Sequence, residues 1–186
     1  MNEVFAVIDT ETTWSDQVMS IGIVISRFPD YKIIEKLYYV ITPTYQSGGM
    51  YSFQLDNTRG IETKIVSRAD ALVDINNQFK KYDVKHIFAY NARFDYTHLP
   101  ELSSYCWYDI MRIAAYKQYN DKLPDNIECC CTGRLKRNYG VENMYRYLTG
   151  IDYYEVHNAV CDAVDELEIM KRLDKELEVY MIGIIK

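Results

Sequence analysis

Positive charge is scarce in this sequence. It has 21 lysines and arginines against 27 aspartates and glutamates, and a formal net charge of −6. Tight non-specific binding to long nucleic acid needs many cationic contacts to phosphates, so the composition argues against that class of function. It leaves room for chemistry at an acidic centre. Four carboxylates holding two divalent cations would take the loaded protein to −2, and part of the acidity is then a binding site seen without its ions. Long apolar runs are also missing. None approaches the roughly 18 residues of a membrane-spanning helix, so no membrane partner is expected. Asn2 and Glu3 precede only a short apolar run, which does not read as a secretory leader. The five cysteines are odd in number, and no two have C-x-x-C spacing. Cys106, Cys129, Cys130, Cys131 and Cys161 are therefore expected to be free thiols in a reducing cytosol, and the expected localisation is cytoplasmic. The neighbouring side chains of Cys129–Cys131 are poorly placed to converge on one tetrahedral zinc ion.

Internal repeats, low-complexity segments and an interdomain linker are absent as well, so residues 1–186 read as one domain. The apolar fraction of 48% is enough for a core that needs no staples. Three short β-branched runs open the chain: Val4–Ile8, Met19–Ser26 and Ile33–Ile41. Phe28-Pro29-Asp30 breaks the second from the third, which predicts an antiparallel meander. Residues 42–68, with Pro43, Gly48, Gly49 and Gly60, read as a long connection. Ala69–Tyr82 has helical spacing through Leu72, Ile75, Phe79 and Tyr82, and His86–Tyr90 reads as a strand. Helices are then expected over Asp95–Leu102, Trp107–Tyr119, parts of Arg134–Leu148 interrupted at Gly140, and about Ala159 to Tyr180 with Asn158 as N-cap. This order predicts an α/β fold with a mixed central sheet of about five strands flanked by helices.

Three places carry chemistry. The first strand runs into Asp9-Thr10-Glu11-Thr12-Thr13. Side chains two apart in an extended segment share a face, so Asp9 and Glu11 project together. Paired carboxylates repel unless a cation lies between them, and Mg²⁺ favours one or two carboxylates with phosphate oxygens. On its own, D-x-E is common by chance. The second place is Asn91-Ala92-Arg93-Phe94-Asp95, just past the strand His86–Tyr90. The carboxyl ends of strands are where ligands bind in open α/β sheets, although Asn91 or Asp95 could also simply cap the next helix. The third is His157-Asn158-Ala159-Val160-Cys161-Asp162. It puts Asp162 on the first turn of the last helix and leaves His157 on the loop before it. Of the three histidines, His86, His98 and His157, the last lies closest to an acidic helix start.

Together these segments resemble the three motifs of the DEDDh exonuclease family, the DnaQ-like nucleases of the ribonuclease H-like superfamily. Asp9-Thr10-Glu11-Thr12-Thr13 resembles the first motif. Asn91-Ala92-x-Phe94-Asp95-x-x-x-Leu99 resembles the second, and His157-x-x-x-x-Asp162-Ala163 the third. Gly60-Ile61 also fits the family. Trp14 stands where the family often has glycine, and Ser20 where it often has glutamate.

The resemblance implies a ribonuclease H-like fold and a metal-dependent 3′→5′ exonuclease that releases nucleoside 5′-monophosphates. It implies two divalent cations, Mg²⁺ or Mn²⁺, held by Asp9, Glu11, Asp95 and Asp162, with His157 as general base. The main chain at Glu11-Thr12 would recognise a terminal 3′ hydroxyl, with Thr12 and Asn91 as substrate contacts. Trp14, which departs from the family pattern, would either bind substrate by stacking on a terminal base or cover the sheet edge. Expected partners are single-stranded DNA or RNA 3′ ends. A polymerase or a second copy of the chain is a further candidate partner. Arg134, Lys136 and Arg137 form the densest basic cluster in the second half, either a phosphate contact or a solvated face. Two other readings stand beside this one: a non-catalytic nucleic-acid- or polymerase-binding module of the same fold, and a phosphodiesterase for short oligonucleotides.

Overall fold

A computed structural model describes residues 3–185. The three opening runs form strands β1 (Glu3–Thr12), β2 (Val18–Phe28) and β3 (Lys32–Ile41), an antiparallel meander. The connection that follows contains two short 3₁₀ turns and a three-residue strand, β4 (Lys64–Val66), parallel to β3. Helix α1 (Arg68–Tyr82) starts at Ser67, whose hydroxyl accepts the Asp70 N–H, and buries Ala71, Ile75 and Phe79. Strand β5 (His86–Ala89) returns parallel to β1. After it come helix α2 (Arg93–His98), strand β6 (Cys106–Asp109) parallel to β5, and the single turn α3 (Met111–Ala114). Helices α4 (Val141–Thr149), α5 (Ala159–Leu173) and α6 (Leu177–Tyr180) complete the chain. The sheet order is β4-β3-β2-β1-β5-β6, six strands and mixed in direction.

Three expectations need correction. Trp107–Tyr119 is not one helix: its first residues form the edge strand β6, with Trp107 and Tyr108 buried against the rest of the sheet. Aromatic residues favour a half-buried pleated surface, and a short apolar run does not reveal its period. Residues 134–140 are not helical either, since Arg134 and Leu135 make isolated bridges to Tyr116 and Cys129 and α4 begins just past Gly140. The last helix stops at Asp174, which takes a left-handed conformation (φ 52°), and α6 is a separate turn.

The sheet is packed on both faces. Phe5 and Val7 of β1 point to the side covered by α5 (Ala163, Leu167, Met170), with Phe88, Tyr108 and Met144 in the same cluster. Ala6 and Ile8 point to the side covered by α1 (Ile75, Phe79), with Leu37, Tyr39 and Trp107. Burial on both faces explains why β1 and β2 read as near-continuous apolar runs. Among the described residues no helix is long and apolar enough to cross a membrane.

Candidate active site

Strand alternation continues past the core. Asp9 and Glu11 follow Phe5 and Val7 by twos, so they lie on the face that α5 covers. Opposite Asp9 in the β1–β2 register is Gly22. A Cβ on Gly22 would lie 2.1 Å from the backbone of Ala159 and Val160, so glycine lets the start of α5 sit directly on the sheet. That contact brings Asp162, on the first turn of α5, over the end of β1. Thr10 donates a 2.8 Å hydrogen bond to Asp95 Oδ1, which ties α2 to the same strand end. Because β1 and β5 are parallel, their carboxyl ends coincide there.

Asp9, Glu11, Asp95, His157 and Asp162 line one cavity of about 460 Å³, together with Thr12, Trp14 and Asn91. The tightest grouping is Glu11, His157 and Asp162, whose candidate ligand atoms all lie within 4.8 Å of one another. Asp9 and Asp95 share the cavity but fall outside that group. Trp14 is 71% exposed at the rim. Asn91 does not cap α2 with its side chain; it takes a left-handed conformation (φ 61°), and its N–H donates to Asp109 Oδ1 at 2.9 Å. Asn158 does not cap α5 with its side chain either. Its amide donates instead to Gln54 O (2.9 Å), Leu55 O (3.2 Å) and the Tyr38 hydroxyl (3.1 Å).

The cavity is electrostatically strained. Burial, with Asp95, Glu166, Asp162 and Glu11 nearby, holds the Asp9 carboxyl well above its usual range. Burial, then Asp162, Glu155 and Asp95, pushes Glu11 up to about 9. Asp162 rises to about 8 through burial and then Glu155 and Asp165. Asp95 rises to about 7 because burial outweighs the hydrogen bond from Thr10. Burial also lowers His157, which keeps its imidazole neutral and able to accept a proton at neutral pH. So many carboxyls cannot ionise together in one desolvated cleft unless cations join them. The donor set fits a divalent cation in one further respect: Asp162 Oδ1 is buried with no hydrogen-bond partner among the described residues.

No family model and no curated protein matches the chain in sequence. Solved structures do match it in three dimensions. One is a 3′-exonuclease described in 3′-end-specific recognition of a histone mRNA stem-loop, at TM-score 0.65 and 14% identity, covering 93% of this chain and 64% of that one. Another is the nuclease domain of 3′hExo, a DEDDh family member bound to rAMP, at TM-score 0.57 and 15% identity over 97% of this chain and 92% of that one. The fold is that of the DEDDh exonucleases. Exonuclease I of E. coli, in a zinc-bound complex with single-stranded DNA, shares it at TM-score 0.62 and 15% identity over 93% of this chain. The chain spans 40% of the length of that exonuclease I chain.

Within this exonuclease fold, two residues of the cleft, Glu155 and Tyr51, and one buried beside Asp9 and Asp95, Glu166, escaped the reading of the sequence. Glu166, one turn along α5 from Asp162, is buried, and its Oε2 accepts the Tyr90 N–H at 3.0 Å. An acid four residues from Asp162, beside the apolar stripe of α5, is a signal that could have pointed to it. Glu155 lines the cavity, and burial together with Glu142 raises it to about 7. Tyr51 lies in the long connection and carries no local signature at all. Its ring stacks on His157.

Proposed function

We propose that the chain is a metal-dependent 3′→5′ exonuclease that hydrolyses single-stranded DNA or RNA from its 3′ end to nucleoside 5′-monophosphates. The observation that carries this reading is the meeting of Asp9, Glu11, Asp95, Asp162 and His157 in one desolvated cavity of an exonuclease fold. Asp9, Glu11, Asp95 and Asp162 would hold two divalent cations, Mg²⁺ or Mn²⁺. Bound there, such ions neutralise phosphate charge, help water ionise and stabilise the leaving 3′ oxygen. His157 accepts the proton of the attacking water, a role that suits a neutral imidazole on a loop just outside α5. The backbone at Glu11-Thr12 and the Asn91 turn position the terminal nucleotide, and the exposed Trp14 ring stacks on its base. The net charge of −6 favours short or unstructured substrates within this reading, down to a phosphodiesterase for short oligonucleotides.

The test is hydrolysis of 5′-labelled single-stranded DNA and RNA, side by side, with Mg²⁺, with Mn²⁺ and with excess EDTA. Stepwise shortening from the 3′ end, abolished by EDTA, is expected. Full hydrolysis in EDTA, or binding without hydrolysis under every metal condition, overturns the reading.

A further inference from the structure

A general base works only if its ring is held where the proton leaves, and a hydrogen bond to a carboxylate often does the holding. His157 has no such partner: neither ring nitrogen makes a hydrogen bond among the described residues. Its backbone is in the left-handed region, at φ 57°, on a loop. What the imidazole has instead is a flat aromatic neighbour. The Tyr51 and His157 rings lie 3.9 Å apart between centroids, with an interplanar angle of 11°.

Tyr51 is itself fixed from both sides. Before it, Gly48 O accepts the Trp14 N–H at 3.2 Å, and Gly49 sits so close to the end of β1 that a Cβ would lie 2.3 Å from Thr12 O. After it, Gln54 O and Leu55 O receive the side-chain amide of Asn158, the residue next to His157. Asn158 therefore ties the base's own loop to the turn that carries Tyr51. Further on, Arg59 makes two 2.9 Å hydrogen bonds to Asp165, and Tyr153 donates to the same carboxylate, so the connection, the loop before His157 and α5 are joined again. A stack of this kind fixes the plane of the imidazole and leaves both nitrogen edges free, one of them for water.

We propose that Tyr51 is the positioning residue of His157, orienting the imidazole through ring stacking and acting on the reaction through His157 rather than on the substrate. The inference rests on the reading of His157 as proton acceptor.

The first test needs no activity. The chain has three histidines, so their ring Cε1–H resonances in the metal-free protein can be assigned by replacing each in turn. The His157 resonance should carry a ring-current shift that disappears in Tyr51→Leu and Tyr51→Ala and returns in Tyr51→Phe. An unchanged His157 resonance in a folded Tyr51→Leu protein overturns the proposal. The second test is kinetic. Tyr51→Leu should lower kcat by about 10²-fold, the scale of a misplaced reacting group, with KM little changed. Tyr51→Phe should restore most of the turnover. Placed in a His157→Ala background, Tyr51→Leu should add no further loss, because both changes remove the same function. A rise in KM at constant kcat, or a loss that persists without His157, would make Tyr51 a substrate contact instead. If the wild-type protein hydrolyses nothing, it is the exonuclease reading that fails, and the resonance experiment still decides what holds the ring.

Discussion

At the scale of single residues, the cavity sets stability and activity against each other. Glu11, Asp162 and Asp95 are raised to about 9, 8 and 7, whereas unfolded carboxyls titrate near about 4. A folded-state pKa above the unfolded one means that the folded protein keeps protons the unfolded chain has released. The stability this contributes is complete below about pH 4 and is lost as pH rises through about 7 to 9. The metal-free protein should therefore melt at a lower temperature near about pH 9 than near about pH 6. Mg²⁺ or Mn²⁺ competes with the proton, so its stabilising effect should grow over the same interval. Thermal melts with EDTA or metal at several pH values check both statements, and a metal-free melting temperature that rises towards alkaline pH contradicts them. Asp162→Asn carries the argument further. It should raise the metal-free melting temperature at neutral pH, because the folded protein no longer has to keep at this position a proton that the unfolded chain has released, while abolishing both turnover and the metal-induced shift. For His157→Ala, turnover should fall by about 10²–10⁴-fold. A candidate ligand atom of His157 also lies within 4.8 Å of those of Glu11 and Asp162, close enough to share one ion, so the same variant separates two roles. A retained metal-induced melting shift supports a base, and a lost one makes His157 a ligand.

At the scale of elements, the site depends on how closely α5 approaches β2. Gly22→Ala would drive a methyl group into the backbone of Ala159 and Val160, where no side chain can swing aside. Overpacking of this kind costs about 1–3 kcal/mol. The displaced helix start also carries Asp162 away from Asp9. Gly22→Ala should lower the melting temperature and raise the metal concentration needed for activity, both measurable on the purified protein; wild-type values for both would break the link between this contact and the site. The convergence of the three acidic segments was legible because each rests on local rules. Period two pairs Asp9 with Glu11, a strand end precedes Asp95, and a helix start carries Asp162. Elements decided by distant partners were not legible. β6 is a strand because β5 offers an open edge to Trp107, and β4 exists because β3 does. The end of α5 at Asp174 has no glycine or proline to announce it. Asn158 looked like a cap by position, yet its amide is used by backbone more than 100 residues earlier in the chain. Tyr51 is brought to His157 by long-range contacts of this kind, which no local pattern announces.

At the scale of the whole molecule, charge and access decide which substrates can be used. On the exonuclease reading, a chain with net charge −6 would gain little from counterion release along a long duplex, so affinity would have to come from the last nucleotides. They would meet a cavity of about 460 Å³ with Trp14 exposed at its rim. A paired end must open before its last nucleotide reaches the carboxylates, and unpairing costs about a few kcal/mol. A single-stranded or frayed 3′ end should therefore be shortened faster than a blunt duplex end of the same sequence. Few phosphates are neutralised, so the salt dependence should be shallow, with a slope of log K on log salt no steeper than about −0.7 per phosphate held. A 3′ phosphate should nearly stop the reaction, because it places a second negative group where a hydroxyl is expected, beside acids that already repel one another. The deciding measurement is the initial rate on matched single-stranded, blunt-duplex, 3′-phosphorylated and circular oligonucleotides at one salt concentration. The order expected is single strand above duplex, with the blocked and circular forms close to background. Preference for the blunt duplex, or cutting of the circle, would show that affinity does not come from the free 3′ end.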